Sequence, residues 1–405
     1  MHPTRLDQRR STPLLPLSTL MVALAATAAL VAGCGGGSTD SSPAAAGTAS
    51  ATAYTEGTLN GFGSIIVNGV RFDETDASVT DDGGVQRTAS SLKLGMSVEV
   101  DSGKVADGSA RAHAVRFGSR VLGPVSAVNL TAGTATVLGQ VVDVSTATVF
   151  DTTLAAGLSA LSVGAVVEVH GLPDAATGHV LATRIDSAAS ATAYKLRGVV
   201  GALNSTAKTF SIGAAQVAYA AVTNVPGTLA DGQTIRVTLA TTPVAGVWTA
   251  QNLGTARHQP ADAMAVQLRG SITAFSSASS FHVNGLAVDA SAATFPDGST
   301  GLALGVQVEV KGTVRNGVLV ASQVGVEAKH QQERDRHFEL HGSITAVDSA
   351  ARSFVVRGVT VSYAGSVSYI GGTVANLIVG AKVEVRGGVG STRSQVLATE
   401  ISFGS

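Results

Sequence analysis

Cysteine is almost absent: the 405-residue chain has one, Cys34. A single thiol excludes a disulfide framework within the chain and any site built from several cysteines, structural zinc sites included. Aromatic residues make up only 4%, with a single Trp, which leaves little for stacking bases or sugars. Charge is sparse as well. At 14% charged residues, 27 Lys+Arg against 28 Asp+Glu, the net charge is −1. There is no basic excess to neutralise phosphate backbones, so no nucleic-acid partner is expected. No G-x-S-x-G elbow occurs, and no helix follows the glycine-rich Gly61-Phe62-Gly63-Ser64 to present its N-terminus to a phosphate. No catalytic residue and no cofactor is therefore assigned. The chain is instead 45% apolar and carries 47 Gly, a composition outside the disordered class.

The longest apolar run lies near the start. Arg5, Arg9 and Arg10 precede Leu14–Val31, which is almost wholly apolar, interrupted by residues such as Pro16, Ser18 and Thr19, and ends in small residues. This is the layout of a secretory signal. The junction Val31-Ala32-Gly33-Cys34 resembles the lipobox of bacterial lipoproteins. The resemblance implies cleavage before Cys34 and lipid attachment to its thiol, with the membrane as partner. Each buried CH₂ of an acyl chain supplies ~0.8 kcal/mol toward anchoring. A plain signal peptide followed by a free Cys is the alternative. Gly35, rather than Asp, follows the Cys, which by resemblance to enterobacterial sorting implies the outer membrane. Residues 1–33 are read as the signal and 34–54 as a small, polar, flexible tether.

Beyond the tether the sequence repeats itself. Leu92–Val100 (LKLGMSVEV) returns as Leu161–Val169 (LSVGAVVEV), Leu229–Val237 (LADGQTIRV), Leu302–Val310 (LALGVQVEV) and Leu377–Val385 (LIVGAKVEV). The copies lie about 70 residues apart. A second pattern precedes each: Ile65–Phe72 (IIVNGVRF), Ala135–Val142, Phe210–Val217, Phe281–Val288 and Phe354–Val361. Four units open on a glycine: Gly123, Gly198, Gly270 and Gly342. All these stretches alternate with period two and are rich in Val, Ile, Thr and Phe, so they read as strands. Asn68-Gly69 and Asn284-Gly285 sit between such runs and predict hairpin tips with positive φ at both residues. The glycine of L-x-x-G predicts a tight turn or bulge before the next strand.

Such a unit is too short for an immunoglobulin sandwich and too long for a propeller blade. The expectation is all-β: about five small OB-like antiparallel barrels in tandem, joined by short linkers, behind the cleaved signal and tether. The units span 55–119, 120–190, 194–258, 266–328 and 338–405, with a polar linker at 329–337. The stretch Gly61–Phe72, taken with the later LxxGxxVEV, resembles a bacterial envelope family, a domain of unknown function found in tandem in lipoproteins. The resemblance is weaker in the third unit, where Ile235-Arg236-Val237 replaces V-E-V. It implies a small barrel and secretion, and no activity.

Two polar patterns invite chemistry. Glu99, Glu168, Glu309 and Glu384 recur between valines; alternation turns them away from the core, toward water or a cross-strand partner. His330, His337 and His341 cluster with Glu339, and on a strand from Phe338 the triad His337, Glu339 and His341 would share a face, a weak metal candidate. The function expected is a membrane-anchored, non-enzymatic array with a structural or binding role in the envelope, its protein or glycan partner unidentified. The alternatives are a surface adhesin that binds oligosaccharide, for which Trp248 is thin support, and a metal-binding protein using the His330–His341 segment.

Overall fold

The structure, a computed structural model, describes residues 53–174, 177–227, 229–255, 260–326, 338–390 and 394–404. Cys34 and His337 lie outside them. The described residues all fall within one unit, Thr48–Ser405.

Barrel 1 contains β1 (Ala53–Phe62), β2 (Ile65–Val67), β3 (Val70–Asp73), β4 (Ser78–Asp81), β5 (Gln86–Arg87), β6 (Ser97–Ser102) and β7 (Ser109–Phe117). Barrel 2 has β8 (Val121–Asn129), β9 (Thr134–Val137), β10 (Gln140–Phe150), β11 (Val166–Pro173) and β12 (Val180–Ser187). Barrel 3 has β13 (Tyr194–Asn204), β14 (Thr209–Ile212), β15 (Ala215–Ala218), β16 (Thr234–Leu239) and β17 (Trp248–Thr255). Barrel 4 has β18 (Ala265–Ser277), β19 (Ser280–Val283), β20 (Leu286–Asp289), β21 (Gln307–Arg315) and β22 (Val318–Val326). Barrel 5 has β23 (Phe338–Asp348), β24 (Ser353–Val356), β25 (Val359–Ser362), β26 (Ser368–Ile370), β27 (Lys382–Val389) and β28 (Val396–Phe403). β1 starts at Ala53, so the last two residues assigned to the tether are strand.

Each barrel closes the same way. In barrel 2, β8 pairs β9, β9 pairs β10, β10 pairs β12, β12 pairs β11, and β11 returns to β8. This is the ring of a five-stranded OB-like barrel. The expected all-antiparallel pairing fails at one place: β10 runs parallel to β12, as do β3 to β7, β15 to β17, β20 to β22 and β25 to β28. The reason is parity, because a closed ring of five strands cannot alternate direction all the way round.

The L-x-x-G glycines make the equivalence concrete. Gly95, Gly164, Gly232, Gly305 and Gly380 all have φ between +84° and +89°, a backbone that side-chain-bearing residues rarely adopt. Each donates its N–H to the first strand of its barrel, to Leu59, Val125, Val200, Ile272 and Ile344 O at 2.8–2.9 Å. Those same first-strand residues donate back to the residue after the glycine. The bond pair staples the turn to the barrel five times over. The hairpin tips take positive φ at Asn68-Gly69 and Asn284-Gly285 as expected, and also at Leu138-Gly139 and Arg357-Gly358. The tip folds over the opening glycine, and at Gly270 a Cβ would overlap the Asn284 side chain.

The valines and isoleucines flanking the recurrent polar residue are buried, as are Phe210, Phe281 and Phe354 of the second strands. The barrels are not joined by linkers alone. β1 runs parallel to β18 at Ala53–Glu56 and to β23 at Gly61–Phe62, while β8 pairs β13 at Val121–Leu122. Barrels 1 and 5 share one hydrophobic core, barrels 2 and 3 share another, and Tyr54 of β1 joins the core of barrel 4.

Candidate functional site

The strand after the L-x-x-G turn of every barrel carries one polar residue between two buried aliphatic ones: Glu99, Glu168, Arg236, Glu309 and Glu384. Alternation turns each away from its own barrel's core. Of the two outcomes that alternation allowed, open water and a cross-strand partner, Glu309 takes the second, and none of the four is fully exposed: Glu99 is buried, and Glu168, Glu309 and Glu384 are half-buried. The outer faces of the sheets are where charges meet arginines. Arg197 of barrel 3 donates to Glu99 of barrel 1 at 3.2 Å. Arg269 lies 3.3 Å from Glu309, its cross-strand neighbour. Burial pushes the Glu309 carboxyl up, but Arg269, Gln267 and Lys311 outweigh it and hold it below the ordinary value.

A second polar seam joins barrels 1 and 2. Arg184 grips Asp186 through two bonds of 2.6 Å and donates to Leu94 O at 3.0 Å. Lys93 of barrel 1 reaches Asp186 at 3.2 Å. Nearby His170 is buried, with Nδ1 3.1 Å from Gly118 O. Burial holds its imidazole below the ordinary value against the pull of Glu168 and Asp186, which keeps it neutral at pH 7.

The sequence-derived metal candidates fall on the seam between barrels 1 and 5. Of the triad, His337 lies outside the described residues. Glu339 and His341 do share one face of β23, and β27 adds Glu384 opposite His341. One ligand atom from each of Glu339, His341 and Glu384 lies within 4.8 Å of the others. The donor set nevertheless does not suit a cation. Arg71 of barrel 1 pairs with Glu339 and places Nη1 3.0 Å from His341 Nε2. Arg386 Nη2 stands 2.7 Å from Glu384 Oε1. A guanidinium only donates, so Nε2 either accepts from Arg71 or, protonated, donates to Glu339 Oε1 at 2.7 Å. In both states the Nε2 lone pair is engaged, and Arg71 and Arg386 already neutralise the two carboxylates. Burial raises the Glu339 carboxyl, yet His341 and Arg71 outweigh it and the net position is below the ordinary value. The cluster is an ionic clamp between two barrels. Sequence reasoning missed Arg71 because 268 residues separate it from Glu339.

Other candidates are engaged too. Trp248 is half-buried and packs edge-on against Tyr194, with centroids 5.7 Å apart. His179 binds Asp143 at 3.0 Å. Neither the His170 nor the His179 ring has a hydroxyl bonded to it among the described residues, so neither forms the nucleophile–base pair that acyl transfer requires.

A protein-family model described as a domain of unknown function (DUF5666) matches residues 55–116, 123–186, 269–325 and 341–402. Those spans fall on barrels 1, 2, 4 and 5. Barrel 3 lies between matches, although its ring and its Gly232 staple are the same; it carries Arg236 in place of the recurrent Glu and Gly213-Ala214 at the hairpin tip. No curated protein matches the chain. Among solved structures, a chain titled "drosophila Unr CSD456" aligns at 14% identity over 53% of this chain and 98% of that one, with a TM-score of 0.14, too low to bear on the fold. The family match covers more than half of the sequence, and the chain belongs to the DUF5666 family.

Proposed function

We propose that this protein is a non-enzymatic scaffold of the bacterial cell envelope, held to the outer membrane by lipid on Cys34, with its five barrels forming one braced body that engages an envelope protein or glycan. One observation carries the scaffold reading. The polar position that recurs from barrel to barrel is committed to ion pairs: Glu99 to Arg197 of barrel 3, Glu309 to Arg269 and Glu384 to Arg386 within their own barrels, while Arg71 of barrel 1 braces the adjoining Glu339 of barrel 5. A repeated enzyme would keep such a position free and aimed into a cleft. What recurs here is instead core, turn and bracing.

The anchor reading rests on Val31-Ala32-Gly33-Cys34 and the apolar run before it. Two or more acyl chains would give stable attachment where one gives only reversible binding. Metabolic palmitate labelling of the wild type against Cys34→Ala tests it. Label confined to the wild type supports the anchor, and equal labelling of both removes it. For the scaffold, crosslinking in the native envelope followed by mass spectrometry should return a reproducible partner. Hydrolytic turnover of cell-wall material by the purified chain would contradict the reading.

A further inference from the structure

Where barrels 2, 3 and 4 meet, the structure holds a cavity of about 360 Å³. Its wall is largely apolar: Val180 comes from barrel 2, Val199 and Ile212 from barrel 3, and Leu304 from barrel 4. Val199 is 49% and Leu304 48% exposed, so both present apolar surface to the chamber. Four charged or titratable residues also line it, Arg120, Asp174, His179 and Arg197, and of these His179 is held by Asp143, Arg197 by Glu99, and Asp174 has a contact of its own, which leaves Arg120. Its strand neighbours use its backbone, with Arg120 N donating to Val169 O at 2.8 Å and Arg120 O accepting from Arg197 N at 2.9 Å. Its guanidinium makes no ion pair and no hydrogen bond among the described residues.

The charges around Arg120 sharpen the point. Arg197 lines the same cavity and is already committed to Glu99. Asp174 at the rim makes contacts of its own. Burial first, and then the like charge of Arg197, lower the Arg120 pKa to about 9, and no carboxylate offsets them. The group is still cationic at neutral pH. A half-buried cation without a counter-charge is costly and is relieved by an anion. A largely apolar chamber with a few polar groups, one of them an uncommitted cation, is the usual form of a small-molecule site.

We infer that the chamber between barrels 2, 3 and 4 binds a small amphiphile with a single anionic head, the head on the Arg120 guanidinium and the apolar body against Val199, Ile212 and Leu304. At about 30 Å³ per non-hydrogen atom, the share of a water in the liquid, the chamber holds a ligand of roughly a dozen such atoms, the size of decanoate. The inference uses neither the lipid anchor nor the scaffold role, so its failure leaves both standing.

The test uses the full chain carrying Cys34→Ala, so that no acyl anchor competes, and measures decanoate binding by calorimetry at neutral pH. Decanoate should bind saturably at one site, and decyltrimethylammonium, equal in chain length but opposite in charge, at least tenfold more weakly. Arg120→Met should weaken decanoate at least tenfold, Arg120→Lys by only a few-fold, and Leu304→Ser several-fold. Equal binding of the two amphiphiles, undiminished binding to Arg120→Met, or no saturable decanoate binding would overturn the inference. The comparison of head-group charge needs only the one chain and stands even if a cavity variant misfolds.

Discussion

Arg184 and Asp186, two residues apart on β12, form a bidentate ion pair whose side chains are only 8% and 7% exposed. The pair stands where barrel 2 meets barrel 1, and Lys93 and the Leu94 carbonyl of barrel 1 complete it. Removing one partner of a buried pair costs up to about 3–5 kcal/mol, and without Arg184 the buried Asp186 keeps only the half-exposed Lys93 at 3.2 Å. Arg184→Met should therefore lower the denaturant midpoint by that equivalent, whereas the double variant Arg184→Met with Asp186→Leu should recover much of it. Equal destabilisation of the two would contradict the pairing.

The clamp between barrels 1 and 5 is more exposed, with Arg71 at 41% and Arg386 at 52%. Exposed pairs contribute roughly 0–1 kcal/mol each. Arg71→Ala should change stability within that range. Its larger consequence should be chemical: with Arg71 gone, Glu339, His341 and Glu384 keep their mutual distances and His341 Nε2 is released. Zinc titration should then find a saturable site in Arg71→Ala that the wild type lacks. Stoichiometric zinc on the wild type, lost in His341→Ala, would make the cluster a metal centre after all.

Acid should loosen the seams. Asp186, Glu309 and Glu339 are each raised by burial and lowered by more through their cationic partners, so each ends below its ordinary value. A carboxyl depressed in the folded state contributes stability that is complete above its unfolded pKa and is lost as pH falls through the folded one. The melting temperature should begin to fall below about pH 6.5, where the unfolded chain takes up a proton on His170 that the folded one refuses, and fall further through and below the ordinary carboxylate range near pH 4. A melting temperature unchanged down to pH 3 would show that these pairs do not hold the barrels together.

Gly270 lies under the Asn284 hairpin tip, with no room for a Cβ. Gly270→Ala should destabilise barrel 4 by about 1–3 kcal/mol through overpacking, seen as faster amide exchange in β18 and β19 while barrel 2 is unaffected. Uniform or absent change would mean that the tip can move aside.

Much of this was legible in the sequence. Period-two alternation gave the strands, Asn68-Gly69 and Asn284-Gly285 gave their turns, and L-x-x-G gave the positive-φ staple, because each is a local requirement that a residue type meets alone. Leu138 and Arg357 take the same left-handed conformation as the two asparagines, yet their identity carries no such signal. The contacts between barrels were not legible. That Glu99 meets Arg197, or Arg71 meets Glu339, follows from how the barrels dock, and alternation says only which face a side chain occupies. Glu339 and His341 were marked by spacing, but the guanidinium that makes them a clamp sits in another barrel.

The account's central claim is that five equivalent closed barrels exist, the third included although the family model passes over it. The Gly232 amide, 2.8 Å from Val200 O, tests this most directly. Hydrogen exchange at Gly95, Gly164, Gly232, Gly305 and Gly380 should show protection at all five, with Gly232 slowed by orders of magnitude, as closed barrel hydrogen bonds require. Exchange of Gly232 at the rate of an unstructured chain, with the other four protected, would contradict the claim.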